Sequence, residues 1–326
     1  MPNSIPLQRP RALVIGEALI DTVRRTDGTS HTVPGGSPAN VALGLARLDR
    51  PTDLLTWLGD DPYGDLIRRH LTRSSVHILR TSTSAFGTPV ATAILDDDGA
   101  PHYEFDLTWD VAPSWELDQD PLVVHTGSLA TFVRPGAAKV LELVAEFRQT
   151  ATITYDPNLR PALLGSPDKA RPLIEQFVEL SDVVKMSRED LDWLFPGGEV
   201  ERIAQRWLAS GPEVVVVTAG LEGADTYTRS GLRVHTPARR VPVVDTVGAG
   251  DAFMSGLIDA LWSAGLLGAE RRDALARVEK QVLESALNRC TRIAALTVAR
   301  EGANPPRLAE LSAAEFEQIS ADRDRG

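Results

Sequence analysis

Val243-Val244-Asp245-Thr246-Val247-Gly248-Ala249-Gly250-Asp251-Ala252-Phe253 reads as a β-branched strand, then small residues, then the start of a helix. A strand that enters a helix through glycines is a building unit of α/β proteins, so this stretch decides the fold class. Gly248, Ala249 and Gly250 leave backbone N–H groups accessible at the helix start, where unpaired donors and the helix dipole favour an anion such as phosphate. A carboxylate has no reason to bind that anion, since like charges repel. Asp251 therefore either takes a proton from a hydroxyl attacking the phosphate, or is only a first-turn acid favoured by the dipole.

The flanking chain agrees with an α/β reading. Short β-rich apolar runs at residues 12–15, 53–58, 122–125, 151–155, 183–185 and 214–218 mostly alternate with helical patterns, which predicts a parallel sheet covered by helices. One helix is expected over residues 38–48, with Ser37 as N-cap and Pro38 as its first residue. Two long helical stretches are expected at 250–264 and 272–299. Residues 90–95 and 102–107 break the alternation as two strands joined at Asp96-Asp97-Asp98-Gly99, a hairpin without a crossover helix that should stand apart from the main sheet. With residues 22–33 it is expected to form a small β lid. The whole chain, 1–326, is read as one domain with the lid at approximately 22–33 and 88–107.

A chain of 326 residues with 43% hydrophobic and 24% charged residues has the balance of a folded protein rather than a disordered one. Its net charge of -11 repels polyanions, so neither nucleic acid nor an anionic membrane is an expected partner. No run approaches the roughly 20 apolar residues of a membrane span. The single cysteine, Cys290, excludes an intrachain disulfide and sits in a helical pattern as a core residue. With no secretory pattern at the N-terminus, a cytoplasmic location is expected.

Ligands of an open parallel sheet bind beyond the carboxyl ends of its strands. Polar residues gather there: Asp21 after the first strand region, Asp156-Pro157-Asn158-Leu159-Arg160 after another, Lys185 and Ser187 after a third, Thr218-Ala219-Gly220 after a fourth. A second glycine segment, Gly35-Gly36-Ser37-Pro38-Ala39-Asn40, allows close approach to the backbone and offers an amide that both donates and accepts, which suits sugar hydroxyls. Taken alone it reads first as a plain helix entry with a surface Asn. There is no Gly-Lys dipeptide and hence no P-loop, no G-x-G-x-x-G, and no H-R-D or D-F-G. The six histidines, at 31, 70, 77, 102, 125 and 235, lack zinc-ligand spacing and are read as surface or core residues.

Together the two glycine segments resemble the two signatures of the PfkB, or ribokinase-like, carbohydrate kinases: Gly35 to Ala42 with Leu45-Ala46-Arg47-Leu48, and Asp245 to Phe253. The resemblance continues in order through Gly16-Glu17-Ala18-Leu19-Ile20-Asp21, Gly59-Asp60-Asp61-Pro62-Tyr63-Gly64, Asp156 to Arg160 and Val217 to Ala224. It implies a three-layer α/β/α fold with a mostly parallel central sheet and a small β lid, and transfer of the γ-phosphate of ATP to a sugar hydroxyl. By position, Asp251 resembles the catalytic base and Gly248, Ala249 and Gly250 the anion hole. Asp21, Gly35, Gly36 and Asn40 resemble the sugar-binding set, and Arg160 a cation that holds substrate or transferring phosphate. Lys185, Ser187, Thr218, Gly220 and Gly223 resemble the nucleotide side. Mg²⁺ is implied near Asp190, which stands in Ser187-Arg188-Glu189-Asp190 where the family has N-x-x-E, and a monovalent cation such as K⁺ near Asp245 and the Gly302-Ala303 turn.

Within the family the fructokinases are most similar in residues 16–21, 156–160 and 184–187, which implies fructose as acceptor. A 2-keto-3-deoxygluconate kinase is the rival enzyme, and nucleoside kinases come behind it, with Trp109, Tyr103 and Phe105 available to stack on a base. A catalytically silent sugar sensor on the same fold is the rival of another class. Exposed lid edges need protection, and a homodimer is the expected means.

Overall fold

Along β1 (Ala12–Ile15), Ala12 and Val14 enter one hydrophobic core while Leu13 and Ile15 enter another, as the two-residue period of a strand dictates. A strand buried on both faces belongs inside a sheet covered on both sides. The computed structural model, which describes residues 9–24, 29–83, 85–95, 101–111, 117 and 119–311, has that arrangement.

After β1 the chain leaves through β2 (Leu19–Arg24) and β3 (Ser30–Gly35), returns by α1 (Ser37–Arg47) to β4 (Thr52–Leu55), and continues through α2 (Pro62–Thr72) to β5 (His77–Ile78). A second excursion makes β6 (Val90–Leu95) and β7 (Pro101–Asp106) before β8 (Val123–Gly127). Then come α3 (Gly136–Phe147), β9 (Thr152–Asp156), α4 (Pro161–Leu164), α5 (Pro167–Leu180), β10 (Val183–Ser187), α6 (Arg188–Leu194), α7 (Val200–Ser210) and β11 (Val214–Thr218). They are followed by β12 (Ala224–Thr228), β13 (Arg233–Thr236), α8 (Ala249–Ser263), α9 (Arg272–Ala276) and α10 (Lys280–Val298).

The central sheet runs β13-β12-β11-β10-β9-β8-β1-β4-β5, parallel from β5 to β11 and antiparallel over its last two strands. Val41, Leu45, Leu257 and Leu287 bring α1, α8 and α10 onto one face; Val144, Ile174 and Trp207 bring α3, α5 and α7 onto the other. The result is the three-layer α/β/α fold with a mostly parallel central sheet that the sequence led us to expect. Because β4 lies on one side of β1 and β8 on the other, the connections diverge there and open a crevice at the carboxyl ends of these strands.

A separate sheet, β3-β2-β6-β7, joins the two excursions by parallel pairing of Ile20 with Val90 through Arg24 with Ile94. The hairpin β6–β7 thus stands apart from the central sheet, as expected; its turn, 96–99, and residues 25–28 lie outside the described residues. Asp61 caps α2 by accepting from Gly64 N at 2.8 Å, and the same carboxylate accepts from the N–H and hydroxyl of Thr88, two residues before β6.

Four local expectations need correction. The strand expected over 53–58 stops at Leu55, because the N–H groups of Thr56 and Leu58 bond Ser82 rather than a neighbouring strand. Val243 and Val244 form no strand: the N–H groups of Val244 and Asp245 both reach Val298 O, and the two valine side chains are exposed. Gly36, at φ 101°, holds the cap position of α1, which displaces Ser37 into the helix. The helix expected over 272–299 is two, α9 and α10, parted at residues 277–279. No helix among the described residues is long and apolar enough to cross a membrane.

Candidate active site

Gly248 caps α8 in the left-handed region, at φ 76°, packed so closely on Ala303 that a Cβ would meet its side chain at 2.6 Å. No side chain caps this helix. Asp251 stands in its first turn, buried, with Ser37 Oγ donating to Oδ1 at 2.7 Å and Asn40 Nδ2 donating to Oδ2 at 2.8 Å. Both donors lie on the first turn of α1, so the two glycine segments of the sequence meet at one carboxylate. Burial pushes the Asp251 carboxyl above its ordinary value; the Asn40 and Ser37 bonds pull it down, the Asp156 charge pushes it up and Lys185 pulls it down.

Asp21 lies in β2, with Oδ2 only 1.9 Å from where a Cβ on Gly35 would stand. Burial raises its carboxyl to about 6, against the nearby Arg160 and helped by Asp251. Arg160 precedes α4 and donates to Asn158 O, Asn158 Oδ1 and Leu159 O, so its guanidinium is fixed within electrostatic reach of Asp21 and Glu17. Asp21, Gly35, Gly36 and Asn40 are therefore brought together beside Asp251, with Arg160 within electrostatic reach of Asp21.

Lys185 is buried and pairs with Asp156 Oδ2 at 2.7 Å. Burial works against its charge, but Asp156, with Asp251 and Asp190 beyond it, keeps the ammonium above its ordinary value. Its Nζ is 2.9 Å from where a Cβ on Gly250 would stand, which places a fixed positive charge under the start of α8. Ser187 Oγ accepts from Asp190 N and so caps α6. Burial, then the Asp156 charge, raises the Asp190 carboxyl. Thr218 ends β11, and Gly220 and Gly223 form the turn into β12, with Leu221 of that turn exposed. Asp245 has other surroundings: Oδ1 accepts from Val247 N at 3.0 Å and Oδ2 from Gly302 N at 2.9 Å.

Asp156 Oδ1 is buried without a hydrogen-bond partner, and no trio of His, Cys, Asp or Glu poised to hold a metal occurs among the described residues. One buried residue escaped the sequence reading. Glu17 accepts from Ala130 N at 3.1 Å, and burial raises its carboxyl to about 7 against the bonds from its own backbone, Ser128 and Ala130 and the charge of Arg160. The signal was present as an acid enclosed by Ile15 and Ala18. Trp109 offers no face to a base: it is buried in the core and donates to Ala130 O, while the side chains of Tyr103 and Phe105 lie outside what is described.

An anion-ready helix start, a buried carboxylate beside it and a polar crevice at the topological switch define a small-molecule kinase. The model of the pfkB family carbohydrate kinases matches residues 9–310, and the chain belongs to that family. It is 34% identical over 286 residues to a fructokinase of Rhizobium leguminosarum bv. trifolii, covering 84% of this chain and 85% of the relative. A fructokinase of Klebsiella pneumoniae is 33% identical, covering 78% and 85%. Among solved structures, a fructokinase with bound ATP from Xylella fastidiosa aligns with TM-score 0.82 and 26% identity over 94% of this chain and 99% of that one. A double-mutant fructokinase of Vibrio cholerae O395 with fructose, ADP and potassium bound aligns with TM-score 0.74 and 25% identity, covering 93% and 97%.

Proposed function

We propose that this carbohydrate kinase transfers the γ-phosphoryl group of ATP to a hydroxyl of fructose. The observation that carries the reading is the buried Asp251 carboxylate, placed in the first turn of a helix that no side chain caps and bonded to the glycine-rich helix start of α1. Fructose is supported by the relatives named fructokinase, and ATP by a structural neighbour that binds it.

In this reading Asp21, Gly35, Gly36 and Asn40 hold the sugar, with Arg160 supplying charge beside it. Asp251 accepts the proton of the attacking hydroxyl, and the backbone at Gly248, Ala249 and Gly250 takes the negative charge of the phosphoryl group in flight. Thr218, Gly220 and Gly223 face the nucleotide, Ser187 frames it by capping α6, and Lys185 adds positive potential from below. The partnerless Asp156 Oδ1 and the neighbouring Asp190 fit a hydrated Mg²⁺, which commonly takes one or two carboxylates plus phosphate oxygens and would neutralise phosphate charge there. Asp245 and the Gly302–Ala303 turn, tied by the Gly302 bond, are the place for a monovalent cation.

The sheet of β2, β3, β6 and β7 acts as a lid that excludes water from the transfer. Its outer strands, β3 and β7, are edges, and a second copy of the chain covers them in a cytoplasmic homodimer. Light scattering at micromolar concentration tests that: a clean monomer rules it out. The substrate is tested by sugar-dependent ADP release over fructose, ribose, 2-keto-3-deoxygluconate and adenosine. Turnover with fructose is expected to lead. Turnover with the keto-acid and none with fructose would replace the acceptor, and no ADP release with any sugar would point to a silent sensor.

A further inference from the structure

Ser37 is given no task by the sugar, phosphate or metal readings, yet its hydroxyl reaches the centre of the site. A serine ahead of a proline at a helix start ordinarily spends its oxygen on the cap. Here Gly36 occupies the cap position, and Ser37 turns its hydroxyl away from its own helix to donate to Asp251 Oδ1 at 2.7 Å. The contact joins α1 to α8 across 214 positions of sequence.

What that bond does follows from the groups around Asp251. Asp21 faces it from β2 and is itself pushed up by the Asp251 charge, while burial and then the Asp156 charge from β9 favour the neutral Asp251 carboxyl. Lys185 from β10, Asn40 and Ser37 oppose them. A neutral carboxyl cannot accept a proton, so the opposing groups decide whether the base is competent. Asn40 has a second duty, since an amide beside Gly35 and Gly36 also serves the sugar. The Ser37 hydroxyl, 6% exposed as a residue, is the donor free to serve Asp251 alone.

We propose that Ser37 is a positioning residue that keeps the Asp251 carboxylate ionised and aimed at the attacking hydroxyl. The inference rests on the reading of Asp251 as the base.

The test is the pH dependence of kcat at saturating ATP and fructose for the wild type, Ser37→Ala and Ser37→Thr, alongside Asp251→Asn. Losing a hydrogen bond to a charged acceptor should move the acidic limb of Ser37→Ala upward by about one pH unit. Turnover below the limb then falls about tenfold and recovers on the alkaline side. Ser37→Thr, which keeps the hydroxyl, should return the limb to its wild-type place. A Ser37→Ala limb that coincides with wild type overturns the proposal, whatever the plateau. Should Ser37→Ala not fold, Ser37→Cys, with its weak donor, is read by the same criterion. Wild-type turnover in Asp251→Asn sinks the base reading itself; an inactive Asp251→Asn with an unmoved Ser37→Ala limb sinks only the role of Ser37.

Discussion

Asp61 accepts from both the backbone N–H and the hydroxyl of Thr88, at 2.8 and 2.9 Å, and so ties the start of α2 to the entry of β6. Burial works against its charge, but the Gly64 N–H, the two Thr88 donors and the Tyr63 N–H together hold the carboxyl below the usual carboxylate range. Asp61→Ala should loosen the second sheet where it leaves the body. A raised KM for sugar and faster sugar-independent ATP hydrolysis are expected, with a stability loss of about 1.5–3 kcal/mol from the charge-assisted bonds. An unchanged KM and unchanged background hydrolysis would leave Asp61 with only a capping role.

Asp251→Asn keeps the size and hydrogen-bonding reach of the side chain and removes the proton acceptor. Turnover should fall by about 10²- to 10⁴-fold while binding of ATP and sugar changes little. A first-turn acid without catalytic work would tolerate the change. Measuring kcat together with the unfolding midpoint separates the two outcomes.

Lys185 and Asp156 are buried together, so removing either strands a charge. Lys185→Met should destabilise the fold by about 3–5 kcal/mol, and Asp156→Asn by a similar amount. Denaturant unfolding of each variant, followed by the double variant, checks this. The double variant should recover part of the loss, because neither charge is then left alone.

Glu17 gives a pH dependence with a definite sign. Its carboxyl is raised to about 7 in the folded chain, against 4.5 as its ordinary value. Between those values the folded state binds more protons than the unfolded, so the contribution of Glu17 to stability falls as pH rises from 4.5 through 7. By pH 8 the full shift weighs against folding, on the order of 3 kcal/mol. Glu17→Gln removes this titration, so the variant should gain on the wild type between pH 5 and pH 8. Parallel melting curves over that range test it, and a constant difference would show that Glu17 does not titrate there.

Much of the layered fold was legible because Val214 to Thr218 and its like are short apolar runs with nowhere to go but a buried parallel strand. Val243 and Val244 have the same composition, yet the Val244 N–H bonds Val298 O at the end of α10 rather than a strand, and propensity without a pairing partner does not make a strand. The break between α9 and α10 falls at Arg277-Val278-Glu279, with no glycine or proline to mark it, while Leu275 and Val278 carry the buried pattern straight across. In the site, the residue types were readable but their contacts were not. Ser37 fits an N-cap locally, and only the placement of Gly36 and of α8 turns its hydroxyl toward Asp251. Glu17 was quoted within a motif but given no work, because its apolar neighbours Ile15 and Ala18 hint at burial without saying which groups the buried acid meets.

The sheet β3-β2-β6-β7 has no continuous stretch of sequence to itself. Its halves leave the body at two places, after β1 and before β8, and are joined by the pairing of β2 with β6. Neither half alone is more than a two-stranded hairpin, which is marginal in water. The sheet is therefore a late assembly that waits for distant parts of the chain to be in place. Exchanging it between related enzymes as a single cassette would carry one hairpin without its partner, so a change of acceptor by transplantation has to move both inserts at once.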